Sequence, residues 1–264
     1  MTDWSSYDGI ADRYDGVCGS RFEAAARILS QRLSLAPAAS VLDLGTGTGI
    51  VLRALAPTAA SLTGCDRSRG MIGAARARVP AGRFVEADAA ALPFRNASFD
   101  AVTAGFVLSH LHDHQAGLAE VHRVLKRGGR FATTSWGAAS DARDAAWREL
   151  LGGTVPQDRV RAAVARVVPR EAEFENAASV AAALAAAGFT GVEVDAVALT
   201  YTISLEDFVA DREISSAGRF ARHTLGPDGW ARWVAEAREF LRRRFGSTFE
   251  CSREVLVGVG GRAA

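Results

Sequence analysis

At 264 residues the chain is long for one domain and short for two, which predicts a single core with insertions. Apolar residues make up 48%, enough to fill a sizeable core, and a formal net charge of +1 gives no reason to expect nucleic acid as a partner. Cys18, Cys65 and Cys251 are odd in number and form no C-x-x-C pair, which argues against a disulfide framework or structural zinc site and suits a reducing compartment.

The chain opens on Met-Thr-Asp-Trp-Ser-Ser-Tyr-Asp, without the basic and apolar regions of a signal peptide, so a soluble cytoplasmic protein is expected. No stretch is long and apolar enough to span a bilayer; Ala177–Phe189 comes nearest and is mostly alanine. Residues 1–20 are polar and aromatic, with Trp4, Tyr7 and Tyr14 among aspartates and glycines. The spacing of Phe22, Ala25, Ala26, Leu29 and Leu33 then predicts a helix from Phe22 to Leu35, ended by Pro37.

Val41, Leu42 and Leu44 read as the end of a buried parallel strand. Gly45, Gly47 and Gly49 follow at alternate positions, a turn bare of side chains on which a ligand can lie against backbone. Ile50, Val51, Ala54 and Leu55 begin a helix that Pro57 closes. Strand, glycine turn and helix make a nucleotide-binding arrangement, with backbone N–H groups facing the ligand. Asp43, two residues before the first glycine, would repel a pyrophosphate and attract a ligand carrying an ammonium group.

Ser61–Asp66 reads as a second strand, ending in an acid 23 residues after Asp43, a spacing at which carboxylates accept from ribose hydroxyls. Ser68 can cap the next helix, on which Met71, Ile72, Ala75 and Val79 share a face. Arg83–Asp88 is a third strand ending in a third acid, and Ser98–Gly105 a fourth. The helix from about Asp113 buries Leu118, Val121, Val124 and Leu125 and is expected to stop at Gly128 and Gly129, before a fifth strand over Gly129–Trp136. Val180–Gly188 reads as a helix, and Val192–Ile203 and Arg253–Gly260 as the last two strands.

The run Val41-Leu42-Asp43-Leu44-Gly45-Thr46-Gly47-Thr48-Gly49 closely resembles the first motif of class I S-adenosylmethionine (SAM) methyltransferases. Asp88-Ala89-Ala90-Ala91-Leu92-Pro93-Phe94 resembles the family's Asp-x-x-x-Leu-Pro-Phe, and the segment from Leu108 and His110 to Glu120-Val121-His122-Arg123-Val124-Leu125-Lys126-Arg127-Gly128-Gly129-Arg130-Phe131 resembles the branch related to ubiquinone and menaquinone methylation. Arg127 stands where that branch usually has proline. The resemblance covers about Tyr7 to Trp136.

It implies a Rossmann-like, doubly wound α/β fold with a seven-stranded, mostly parallel sheet and helical lid insertions. It also implies SAM as cofactor, with S-adenosylhomocysteine as product. Carried over position by position, the cofactor would be held by Tyr14, Asp43, Gly45, Thr46, Gly47, Gly49, Asp66, Arg67, Met71, Asp88, Ala89 and Phe106. Tyr14 reads equally as a packed residue of an N-terminal helix, and Met71 as core. Trp4, Tyr7 and Trp136 are expected to border a small-molecule acceptor. The organisation expected is an N-terminal helical lid over 1–36, a core over 37–203 with an insertion at 137–176, a helical lid insertion over 204–247, and a final strand over 248–264. In that second insertion Trp230, Trp233, Val234, Ala237, Phe240 and Leu241 share one face.

SAM is already an activated electrophile, so its chemistry needs no metal or covalent nucleophile, only alignment, exclusion of water and handling of one proton. His110, just after the fourth strand, is the candidate base; the other reading is a residue that merely caps or packs the helix start. His110-Leu111-His112-Asp113-His114 departs from the H-x-H-x-D-H metal signature, its aspartate and last histidine each one residue early, so no metal is expected. Ala104-Gly105-Phe106-Val107 lacks the Asn/Asp-Pro-Pro-Tyr of enzymes that methylate planar nitrogens. The expected reaction is methyl transfer to a hydroxyl of a secondary metabolite or quinone-like compound, by a monomer or homodimer. Transfer to carbon or nitrogen, a cyclase or isomerase that keeps SAM as a structural cofactor, and a non-enzymatic SAM-binding protein are the other readings.

Overall fold

The apolar runs form one seven-stranded sheet in the order β3-β2-β1-β4-β5-β7-β6. The strands are β1 (Ser40–Leu44), β2 (Ser61–Asp66), β3 (Arg83–Glu86), β4 (Phe99–Gly105), β5 (Leu125–Trp136), β6 (Thr190–Ser204) and β7 (Thr248–Gly261). Only β7 runs against its neighbours, pairing antiparallel with β5 and β6. The computed structural model describes residues 3–139 and 141–264. Met1 and Thr2, at the start of the expected N-terminal lid, and Ser140, in the first expected insertion, lie outside the described residues.

Alternation along β1 divides the core. Val41 faces α1 (Ala11–Leu33), α2 (Ile50–Leu55) and α3 (Arg69–Arg78), among Leu29, Leu52 and Ala75. Leu42 and Leu44 face the other layer, where Leu118 and Val121 of α4 (His114–Val124) and Leu184 of α8 (Ala177–Ala186) pack. The strand order reverses between β1 and β4, which opens a crevice at their C-terminal ends.

The last two strands outgrow the sheet. Trp136, at the end of β5, pairs with Val255, while β7 residues 248–254 pair with β6 alone. This two-stranded ribbon rises past the strand ends and carries α9 (Leu205–Ile214) and α10 (Ser216–Phe245). Gly226, at φ 71°, kinks α10 before Pro227. Between β5 and α8 the chain adds α5 (Ala142–Gly152), α6 (Gln157–Val167) and α7 (Glu171–Phe174). Trp147 of α5 meets Trp233 edge to face at 4.9 Å, and Trp233 stacks on Trp230 at 5.0 Å, so the two insertions share one aromatic core with Phe208 and Leu241. Phe240, at the edge of the expected apolar stripe, is left 37% exposed.

Three of the boundaries that differ from expectation bear on the site or on the helix ends. The first helix begins at Ala11, not Phe22, and runs through Gly16 and Gly19. Each glycine costs about 1 kcal/mol against alanine, and the burial of Cys18, Arg21, Ala25 and Leu29 outweighs it. The helix therefore belongs both to the core and to the cleft: Leu29 and Leu33 pack with Val41, while Tyr14 and Phe22 border the crevice. Second, α4 stops at Val124, four residues before the glycines. The Arg262 guanidinium, remote in sequence, donates to the carbonyls of His122, Arg123 and Leu125 at 2.8, 3.0 and 2.7 Å and so satisfies the helix end there. Third, β3 ends at Glu86, two residues short of Asp88.

Candidate active site

A cavity of about 1220 Å³ lies over the strand ends, beneath the helical roof. That exceeds the roughly 300–1,000 Å³ of single-ligand clefts and leaves room for two molecules side by side. Its floor is the glycine turn after β1 and the segment after β4; its roof comes from α5, α6, α7 and α9.

The three glycines serve three different needs. Gly45 has φ 60°, and a Cβ there would fall 2.2 Å from Val107 Cγ2, so its bareness admits the chain after β4. Gly47, at φ 52°, has nothing within 4 Å of its would-be Cβ and opens on the cavity. Gly49, at φ 82°, caps the start of α2 and packs on Ala75 of α3 and on Val79 just after it; it does not line the cavity. Gly45→Ala combines overpacking with a strained φ and is expected to cost on the order of 2–4 kcal/mol. Adding Val107→Ala should recover the packing part. Urea unfolding of both variants measures this; no recovery would mean that the strain is purely torsional.

Asp43 and Asp66 are bound into this turn. Asp43 is 1% exposed; its Oδ1 accepts from Thr103 Oγ1 at 2.7 Å, while its Oδ2 meets no donor at full hydrogen-bond geometry among the described residues, the Thr46 hydroxyl lying close enough to favour the carboxylate. Burial pushes its carboxyl up to about 7. Asp66 accepts from Gly47 N and Ser68 N, both at 2.9 Å, so it ties the glycine turn to the start of α3; burial raises its pKa. Ser68 Oγ accepts from Met71 N at 3.2 Å, the expected cap, and donates to Asp8 Oδ1 at 2.5 Å, which anchors the N-terminal segment over the turn. Asp88 Oδ1 accepts from Ala90 N at 2.9 Å and turns the chain after β3 along the cavity. Thr46, Arg67, Met71 and Ala89 also line it.

One wall is aromatic. Tyr14 stacks on Phe22 with centroids 5.6 Å apart, Phe22 meets Phe106 at 5.1 Å, and Phe106 stacks on Trp136 at 4.4 Å. Phe106 takes φ 57°, rare for a bulky residue, and its N–H donates to Thr134 O at 2.9 Å. Tyr7 lies edge-on to His110 at 5.7 Å and under the Arg219 guanidinium at 4.7 Å. Trp4, expected beside the acceptor, instead packs outside the cavity on Phe220 at 5.3 Å, with Arg166 over its ring.

His110 lines the cavity, and its Nδ1 lies 3.0 Å from the Val167 carbonyl. A carbonyl only accepts, so Nδ1 carries the proton and Nε2 the lone pair. Burial pulls the imidazole down to about 4, so it is neutral across the physiological range. Arg170 N donates to Ser109 O at 3.0 Å, and His114 Nε2 lies 3.3 Å from Glu173, so the segment after β4 is knitted to the roof. His110 and His114 thus point to different partners.

The far half of the cavity was not foreseen. Arg21 of α1 forms a buried, bidentate pair with Asp211 of α9 at 2.8 and 3.0 Å, and Cys18 Sγ donates to the same carboxylate at 3.0 Å. Arg212 bridges Asp211 at 3.0 Å and Asp144 at 3.1 Å. Tyr14, Cys18 and Arg21 repeat at helical spacing and would have shown one face, had the helix been extended through Gly16 and Gly19. Asp144, Asp211 and Arg253 carry no local signal.

Residues 42–133, the segment from β1 to β5, match the family model described as "Methyltransferase domain". The chain is 38% identical over 137 residues to the demethylmenaquinone methyltransferase of Corynebacterium efficiens, covering 50% of this chain and 58% of that protein. It therefore spans less than two thirds of that relative's length. It is 36% identical over 161 residues to the demethylmenaquinone methyltransferase of Mycobacterium sp. (strain JLS), covering 58% of this chain and 68% of that one. A solved structure of a Haemonchus contortus phosphoethanolamine N-methyltransferase with S-adenosylhomocysteine matches 98% of this chain and 58% of that one, with a TM-score of 0.62 and 17% identity, a likeness of fold.

Proposed function

The chain belongs to the class I SAM-dependent methyltransferase family, in its quinone-biosynthesis-like branch, and on that premise we propose that it methylates a hydroxyl of a quinone-like small molecule. The observation that carries this reading is Asp43: a buried carboxylate on the cavity wall that has no cationic partner among the described residues and, besides Thr103, only the nearby Thr46 hydroxyl, with the open backbone of Gly47 lining the same cavity. An ammonium-bearing ligand supplies a charged donor and the compensating charge at once. In this reading Asp66 and Asp88 receive the ribose hydroxyls and adenine amino group, Tyr14 covers the methionyl end, and Arg67, Met71 and Ala89 flank the base. Bound SAM supplies an activated methyl group. The chain's own residues do the rest: the roof excludes water, the Phe22–Phe106–Trp136 wall orients a flat acceptor, and His110 Nε2 receives the hydroxyl proton.

Because His110 is neutral above about pH 4, turnover should show no histidine inflection between pH 5 and 7. His110→Ala should lower kcat roughly 10²-fold or more, with S-adenosylhomocysteine affinity within about twofold of the parent. Retained turnover would reduce His110 to a tie between cleft and roof. The reading as a whole is tested by calorimetric titration with S-adenosylhomocysteine, with NAD as control, followed by acceptor assays. Saturable binding with S-adenosylhomocysteine formed in step with methylated product is expected. Product without consumption of SAM would point to the cyclase or isomerase reading, and absent binding by folded protein would remove the cofactor assignment.

A further inference from the structure

The half of the cavity away from Asp43 holds an excess of buried donors. Arg21 Nε, Trp147 Nε1, Arg212 Nε and Arg253 Nε all lack a hydrogen-bond acceptor among the described residues, and all four residues line the cavity. Arg21 is 8% exposed and Trp147 3%. Against these stands one unsatisfied carboxylate oxygen, Asp144 Oδ1, already 3.1 Å from Arg212 Nη2, and the hydroxyls of Thr134 and Ser135. Arginine Nε atoms without acceptors also occur away from the cavity, at Arg143 and Arg219, so what sets this half apart is its charge.

The charges are as uneven as the hydrogen bonds. Arg21 and Arg212 share Asp211, and Arg212 also reaches Asp144. Arg253, on the ribbon just past the end of β5, has no carboxylate within ion-pair distance among the described residues, although Asp144 and Glu171 act on it from farther away. Burial lowers its pKa, with Arg212 and Arg21 adding to the strain, so an anion would be favoured beside it. Its guanidinium lies 4.3 Å over the Trp136 ring, and Arg21 reaches the same ring at 5.4 Å. Stacking occupies the face of a guanidinium and leaves its in-plane N–H groups free for a carboxylate.

We propose that the methyl acceptor is an aromatic acid, its carboxylate received by Arg253 and its ring held against the edge of the Phe106–Trp136 pair, whose indole faces are taken up by Phe106 and Arg253. This rests on the methyltransferase reading of the same cavity. Salicylate and salicylamide serve as a matched pair of probes, titrated calorimetrically into protein saturated with S-adenosylhomocysteine. Salicylate should bind roughly tenfold or more tighter than the amide. Arg253→Met should remove that preference by weakening salicylate alone, and Arg253→Lys should restore part of it. Equal affinity for the two probes, binding by neither, or an unchanged preference in Arg253→Met overturns the proposal. S-adenosylhomocysteine binding is measured first: its absence in the parent protein defeats the methyltransferase reading, whereas its presence without acid preference defeats only the acid site. Its retention in Arg253→Met shows that the variant is folded; if it is lost there, the parent's preference and Arg253→Lys decide.

Discussion

Asp43→Asn should weaken S-adenosylhomocysteine binding by at least about 100-fold, because removing one partner of a buried ion pair costs about 3–5 kcal/mol. The amide keeps the shape of the carboxylate and its oxygen can still accept from Thr103 Oγ1, so the loss reports on charge. The pH dependence gives a second readout. With its carboxyl at about 7 in the ligand-free protein, Asp43 must lose a proton to pair with a cation. Affinity should therefore fall as pH drops below 7, by up to about tenfold per pH unit, with proton release visible as a buffer-dependent heat. In Asp43→Asn both effects should vanish. Stability moves the other way: a carboxyl whose folded pKa is raised destabilises the fold once it ionises, so ligand-free Asp43→Asn should melt higher than the parent at pH 8. Undiminished binding by the asparagine variant would mean that Asp43 only shapes the turn.

The second large effect is expected at Arg21. Arg21→Met leaves Asp211 ionised and buried with Arg212 as its remaining counter-ion, at a cost of about 3–5 kcal/mol. The Arg21–Asp211 pair joins α1 to the roof, so the loss should appear in unfolding and as faster hydrogen exchange in α9. Replacing both partners, Arg21→Met with Asp211→Leu, should recover much of it, since Arg212 retains Asp144 and no charge is stranded. Arg21 and Arg212 hold the Asp211 carboxyl well below the usual range. A depressed carboxylate contributes its stability above the unfolded pKa of about 4 and loses it as pH falls through the folded value. The pair thus persists through mildly acid conditions. A melting temperature unchanged in Arg21→Met would mean that Arg212 alone satisfies Asp211.

The N-terminal half of the molecule was legible because each of its signals is local. An apolar run and a glycine turn place Asp43 near a strand end, and an apolar run followed by a helix cap places Asp66; Ser68 caps α3 where its sequence context says it should. Strand period and helix cap act over a few residues, so they survive in any tertiary setting. Where the reading failed, a distant partner had overruled a local cue. Arg262 ended α4 before its glycines, and burial against the sheet and roof carried α1 through Gly16 and Gly19.

From the residues alone, therefore, came the family, the mostly parallel sheet and the acid that ends β2. Only the tertiary structure decided why Gly45 is glycine, since the reason is Val107, and only it removed Trp4 from the cleft and brought Tyr7 against His110. The acceptor half of the cavity belongs wholly to this second class. Arg21 and Asp211 lie 190 residues apart, and Arg253 reaches Trp136 because two strands overrun the sheet. Pairing across such separations depends on how whole elements pack, and it leaves no periodicity in the chain to read.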